Sequence, residues 1–207
     1  MGSGVKLVVG LGNPGGRYRG TRHNVGYRVV ETLAERARIV LDEERYDGRF
    51  GQGRVAGIPV ALLLPETFMN ESGGAVVEAL RGLGLSDPGR DLLVVLDDID
   101  LPLGRLRLRP GGGDGGQRGL RDILHRLGRE DIARLRFGVG RPPEGVDPTR
   151  WVLAGFDRTE EAVLRRALPR AADAVASWLS EGIATAMDRF NGPWPESTTG
   201  GPSADAG

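Results

Sequence analysis

The 207-residue chain contains no cysteine, which excludes disulfides, zinc–thiolate centres and thiol nucleophiles. Of its 28 basic residues only Lys6 is lysine, so nearly all the positive charge is arginine. No apolar run approaches the roughly 20 residues that a membrane-spanning helix needs. Met1-Gly-Ser-Gly-Val-Lys6 does not read as a signal peptide. The expectation is a soluble, cytoplasmic protein.

With 39% hydrophobic residues, the chain is long enough for one well-filled α/β domain, and no second domain is required. Net charge is zero but unevenly spread. From Leu101 to Arg141 ten arginines stand against four acids, a local excess of six. The arginine bias and the 34 glycines would also follow from a GC-rich genome. A guanidinium fork nonetheless suits phosphate, and a basic stripe in a neutral protein points to a local partner such as nucleic acid.

The pattern of elements is α/β. Lys6–Gly10, Ile58–Leu64 and Leu92–Leu96 are short apolar runs of the kind that form buried strands, Leu135–Val139 makes a further strand, and 45–55 reads as an extended segment interrupted by glycine. Asn24 is placed to cap a helix carrying Val25, Val29, Val30 and Leu33, and Ser72 to open a second. The leucine–arginine alternation of 101–109 predicts a strand with one apolar and one basic face. The run Gly111-Gly-Gly-Asp-Gly-Gly116 predicts a loop, followed by a helix bearing Leu120, Ile123, Leu124 and Leu127. Helical spacing extends over 159–182, where Pro169 is expected to kink or split the helix. From Asn191 onward the composition predicts a disordered tail after a domain spanning 1–190.

Gly10-Leu-Gly-Asn-Pro-Gly15 satisfies the glycine spacing of a dinucleotide fingerprint. Its context does not, because Pro14 and the polar stretch to Arg22 delay any helix until after Asn24. His125 lies off the apolar face of its helix and reads as a surface residue. His23 sits in a polar loop, where a histidine either ties down backbone or does acid–base chemistry. Asp97, Asp98 and Asp100 follow a strand end; they read as turn-capping aspartates or as cation ligands without a distant partner. Phe68 and Met69 read as core, and Asn70 as a buried amide that must find partners.

Taken together, Gly10–Gly15, Tyr18, Thr21-Arg-His-Asn24, Phe68-Met-Asn-Glu-Ser-Gly73, Asp97-Asp-Ile-Asp-Leu-Pro102, Gly111–Gly116 and Arg134-Leu-Arg-Phe-Gly-Val-Gly-Arg-Pro142 resemble the bacterial peptidyl-tRNA hydrolase family over roughly residues 5–191. The resemblance implies a single α/β domain with a mixed, mostly parallel central sheet between helices. It implies hydrolysis of the ester between a peptide and the 3′-terminal adenosine of tRNA. His23 would be the general base and Asp97 its orienting carboxylate. Asn13, Tyr18, Phe68, Met69, Asn70 and Arg118 would bind substrate, the amides near the scissile ester and the aromatics at the terminal adenine. Arg105, Arg107, Arg109, Arg134 and Arg136 become the candidate phosphate footprint for the acceptor stem. No metal or other cofactor is implied, and a monomer is expected. After the glycine loop the family usually carries an asparagine, and here the aligned residue is Arg118, preceded by Gln117. A related plant protein on this fold is a splicing factor, which leaves a non-catalytic RNA-binding reading that intact His23 and Asp97 argue against.

Overall fold

The structure, a computed structural model, describes residues 4–193. Among the described residues seven strands form one sheet: β1 (Lys6–Gly10), β2 (Glu43–Arg45), β3 (Gly48–Val55), β4 (Ile58–Pro65), β5 (Leu92–Asp98), β6 (Leu106–Arg109) and β7 (Ala133–Gly138). Their order is β2-β3-β4-β1-β5-β7-β6. The four central strands, β4-β1-β5-β7, are parallel, and antiparallel strands close both edges. The sheet is a single mixed one with a parallel centre.

The helices are α1 (Val25–Ala37), α2 (Ser72–Gly82), α3 (Pro88–Asp91), α4 (Arg118–Leu127), α5 (Pro148–Val152), α6 (Arg158–Glu181) and α7 (Ile183–Phe190). Alternation along the strands supplies two cores. Val8, Leu62, Val95 and Leu135 pack under α1, α6 and α7, whereas Leu7, Leu63, Val94 and Leu96 pack under α2 and α4. Strands β1, β4 and most of β5, buried on both faces, are largely apolar and stand out as short hydrophobic runs, whereas β7 carries Arg134 and Arg136. None of the described helices is long and apolar enough to cross a membrane.

Three local expectations need correction. Of the kink or split expected at Pro169, the split does not occur, and one helix runs from Arg158 to Glu181. Proline removes one backbone donor, but Ala167, Leu168, Ala171 and Ala172 around it are buried, and this packing carries the helix through. The basic-faced strand begins only at Leu106, because Gly104 (φ 78°) and the Arg105 N–H to Pro102 carbonyl bond make a turn of the preceding residues. Asn191 is ordered: its Oδ1 accepts the Leu108 N–H at 2.6 Å and its Nδ2 donates to the Leu108 carbonyl, an amide standing in for a missing strand on β6. The tail expected beyond it lies, from residue 194, outside the described residues.

Candidate active site

The chain crosses from one side of β1 to the other between β4 and β5. Ligands of open α/β sheets collect at the carboxyl ends of strands at such a switch point. A cavity of about 320 Å³ lies there. The segment after β1 contributes Asn13, Tyr18 and His23; that after β4 contributes Phe68, Met69 and Asn70; and β5 contributes Asp97 and Asp98. The glycine loop adds Gly115 to Arg118, and α5 with Leu153 forms the facing wall.

His23 is the middle residue of a single 3-10 turn, Arg22–Asn24, at the foot of α1. Its Nδ1 lies 2.8 Å from Asp97 Oδ2, with both side chains nearly buried. With Nδ1–H donating to the carboxylate, Nε2 is left as a proton acceptor, and the histidine lines the cavity. The second carboxylate oxygen of Asp97 accepts from Gln117 Nε2 at 3.1 Å. Glycine makes the His–Asp approach possible. A Cβ on Gly26 would sit 2.5 Å from the Val95 carbonyl and 2.6 Å from backbone atoms of Leu11, so α1 rests directly on β1 and β5. Gly10 and Gly12 serve the same packing, against Gly26 and the Tyr27 ring. Two of the glycines that mimic a dinucleotide fingerprint, Gly10 and Gly12, are therefore helix seats, and the third, Gly15, turns the chain at φ 97°.

Asn13 is held from three sides. The Asn24 amide accepts the Asn13 N–H and donates to the Asn13 carbonyl, each at 2.9 Å, and Asn13 Oδ1 accepts the Met69 N–H at 2.9 Å. This fixes the amide and leaves its NH2 as a donor at the cavity. Asn24 stands at the expected helix start, but its side chain makes no cap; it orders the loop carrying Asn13 instead.

Met69 is buried, whereas Phe68 is 57% exposed at the mouth, an aromatic face open to a flat ligand. Asn70 is exposed rather than buried, because the short turn after β4 turns it outward; its amide makes no hydrogen bond among the described residues. Tyr18 is half-buried, with the Arg17 guanidinium 4.5 Å from its ring centre. Arg118 is exposed at the rim, in the first turn of α4. His125 is exposed, as expected.

The aspartates go to separate partners. Asp98 pairs with Arg136 at 2.9 Å and accepts the Asp100 N–H, and Asp100 pairs with Arg141. Burial holds the Asp98 carboxyl above the ordinary carboxylate range, against the opposing pull of the Asp100 N–H and Arg136. Among the described residues no three His, Asp or Glu side chains group as metal ligands.

The arginine stripe divides. Arg107 and Arg109 are exposed on β6. Arg136, opposite Arg107 across the β6–β7 pair, lines the cavity. Arg105 is half-buried and donates to the Asn191 carbonyl. Arg134 departs from the expected phosphate role. It is 2% exposed, and its guanidinium is spent on the carbonyls of Gly112, Gly113, Glu130 and Ile132. It anchors the glycine loop from beneath.

Sequence reasoning missed Arg22. Its guanidinium is buried, pairs with Glu160 at 2.7 Å, donates to the Ala154 and Gly155 carbonyls and stacks 3.6 Å from the Trp151 ring. It therefore fastens α5, a wall of the cavity, to the segment carrying His23. Its only signal in the sequence was adjacency to that histidine.

The profile of the peptidyl-tRNA hydrolase family matches residues 7–198. The peptidyl-tRNA hydrolase of Chloroflexus aggregans is 49% identical over 185 residues, covering 89% of this chain and 98% of that protein. The Synechococcus sp. peptidyl-tRNA hydrolase is 50% identical over 188 residues, covering 90% and 83%. The crystal structure of peptidyl-tRNA hydrolase from Acinetobacter baumannii superposes with a TM-score of 0.86 at 36% identity, over 95% of this chain and 99% of that one.

Proposed function

Because this chain belongs to the peptidyl-tRNA hydrolase family, we infer that it hydrolyses the ester between a peptide and the 3′ end of tRNA with water activated by His23. The observation that carries the mechanism is the 2.8 Å contact of His23 with Asp97 at the edge of the cavity. Asp97 fixes the tautomer in which Nε2 faces the substrate and stabilises the imidazolium that forms as water loses its proton to the ring. Attack on the ester carbonyl places negative charge on its oxygen. Asn13 Nδ2, immobilised through Asn24 and Met69, and the outward Asn70 amide are the donors in reach of the cavity for that oxygen or for the adjoining peptide. Collapse of the tetrahedral species expels the ribose oxygen, and the proton held by His23 returns to it.

Phe68 and Tyr18 offer aromatic faces for the terminal adenine, and Met69 forms the floor between Asn13 and Gln117. Arg118 adds a charge at the rim, where it grips a 3′-terminal phosphate or the ester region. Arg107, Arg109 and Arg136, with Arg105 at the margin, form the phosphate footprint of the acceptor stem. On this reading the protein recycles tRNA in the cytoplasm, as a monomer and without a cofactor.

The test is release of an N-blocked amino acid from aminoacyl-tRNA, with free aminoacyl-tRNA as control. His23→Ala should lower turnover by about 10²–10⁴ while tRNA binding is retained, because a general base acts in the transition state. Asp97→Asn should give a smaller loss with an altered pH profile. Near-parental turnover by His23→Ala would remove the mechanism.

A further inference from the structure

We propose that Gln117 is a positioning residue for this reaction: its amide locks the Asp97 carboxylate into the orientation that His23 requires. The inference rests on the His23–Asp97 reading above. Gln117 is buried and makes three polar contacts. Oε1 accepts the Leu120 N–H at 2.7 Å, capping α4, while Nε2 donates to Asp97 Oδ1 at 3.1 Å and touches Met69 Sδ at 3.2 Å. Each end of the amide thus has its own task, which fixes which end faces Asp97. Gly119 provides the room. A Cβ there would lie 2.6 Å from Met69 Sδ and 3.1 Å from Gln117 Oε1, so the chain is pared back where the amide folds over the helix start.

Asp97 is thereby held at both oxygens, Oδ2 by His23 and Oδ1 by Gln117. A carboxylate held at one oxygen only is free to rotate about its Cβ–Cγ bond, and with it the imidazole loses its fixed direction. An amide donor is also uncharged at every relevant pH, so it orients Asp97 without adding a titration of its own. The other charged groups around the pair have fixed partners or stand apart. Asp98 is on Arg136, Asp100 is on Arg141, Arg22 is on Glu160, and Arg118 lies at the rim.

Two variants separate positioning from helix capping. Gln117→Glu keeps the length and the cap acceptor but replaces the donor with a carboxylate facing Asp97. Gln117→Ser keeps a good cap residue that is too short to reach Asp97. In the full-length protein acting on N-blocked aminoacyl-tRNA, both should lose roughly tenfold in kcat with KM within about twofold, the size of one charge-assisted hydrogen bond used in the transition state. The acid limb of the kcat profile should move to higher pH, further for Gln117→Glu, because less compensated negative charge beside His23 favours its protonated form. Melting temperature should stay near parental for Gln117→Ser. Parental kcat and pH profile in both variants would reduce Gln117 to a helix cap and overturn the proposal, as would a rise in KM alone. If His23→Ala abolishes turnover while the Gln117 variants remain parental, only this inference falls. If His23→Ala is active, the reading beneath it falls.

Discussion

At the scale of the residue, the site depends on amides that hold other amides. Asn24 contributes both an acceptor and a donor to the backbone of Asn13, and no other side chain of its length offers both. Asn24→Asp would keep the acceptor for the Asn13 N–H but set a carboxylate oxygen against the Asn13 carbonyl. The expected result is a loss of about 1–3 kcal/mol in chemical denaturation and a fall in kcat. Parental values for both would show that the loop holds its shape without the clamp. The sequence made Asn24 readable as a helix start but not as a clamp, because the partner lies 11 residues earlier across a loop of no regular period. His23 and Asp97, 74 residues apart, were paired only through the ordered set of motifs around them. Gln117 was visible only as the neighbour of an unusual arginine, since nothing local tells an amide that caps a helix from one that also reaches a carboxylate.

Elements meet at distances their sequences permit, and here α1 meets β1 and β5 at the closest distance glycine allows. The apolar runs made β1, β4 and β5 legible in advance, because strands buried on two faces leave little room for polar alternation, whereas β7 sets Arg134 and Arg136 between its apolar residues. The closeness of the crossing was not legible, since a glycine in a helix carries no mark of what passes beside it. Gly26→Ala tests it. The added methyl would press on the backbone of Leu11 and Val95 rather than on a movable side chain, forcing the foot of α1, and with it His23, away from Asp97. Overpacking of this kind costs about 1–3 kcal/mol or more, so the midpoint of denaturation should drop. Turnover should fall even where the variant remains folded. An equally stable, fully active Gly26→Ala protein would mean the crossing has slack. The unbroken α6 has the opposite cause: local propensity argued for a break at Pro169, and buried neighbours on the core-facing side overrode it.

Across the whole molecule, net neutrality coexists with a basic stripe, but the fold sorts that stripe into structure and surface. Composition could count ten arginines between residues 101 and 141; only the packing tells which are available. Arg134 and Arg107 look alike in an alternating pattern, yet β7 lies inside the sheet and β6 at its edge, so one is buried on carbonyls and the other faces solvent. The two therefore predict different losses. Arg107→Ala with Arg109→Ala should weaken binding of full-length tRNA and lower the slope of log affinity against log salt by roughly one unit per arginine. Melting temperature and hydrolysis of a minimal substrate without an acceptor stem should stay near parental. Arg134→Ala should instead strip donors from four carbonyls and loosen the glycine loop, costing about 1–3 kcal/mol of stability. It should damage turnover on long and minimal substrates alike, because that loop also carries Gln117 and Arg118. Salt titrations of tRNA binding, set beside denaturation curves for the same three arginines, decide the matter. An unchanged salt slope in the Arg107/Arg109 variant would place the acceptor stem on another face.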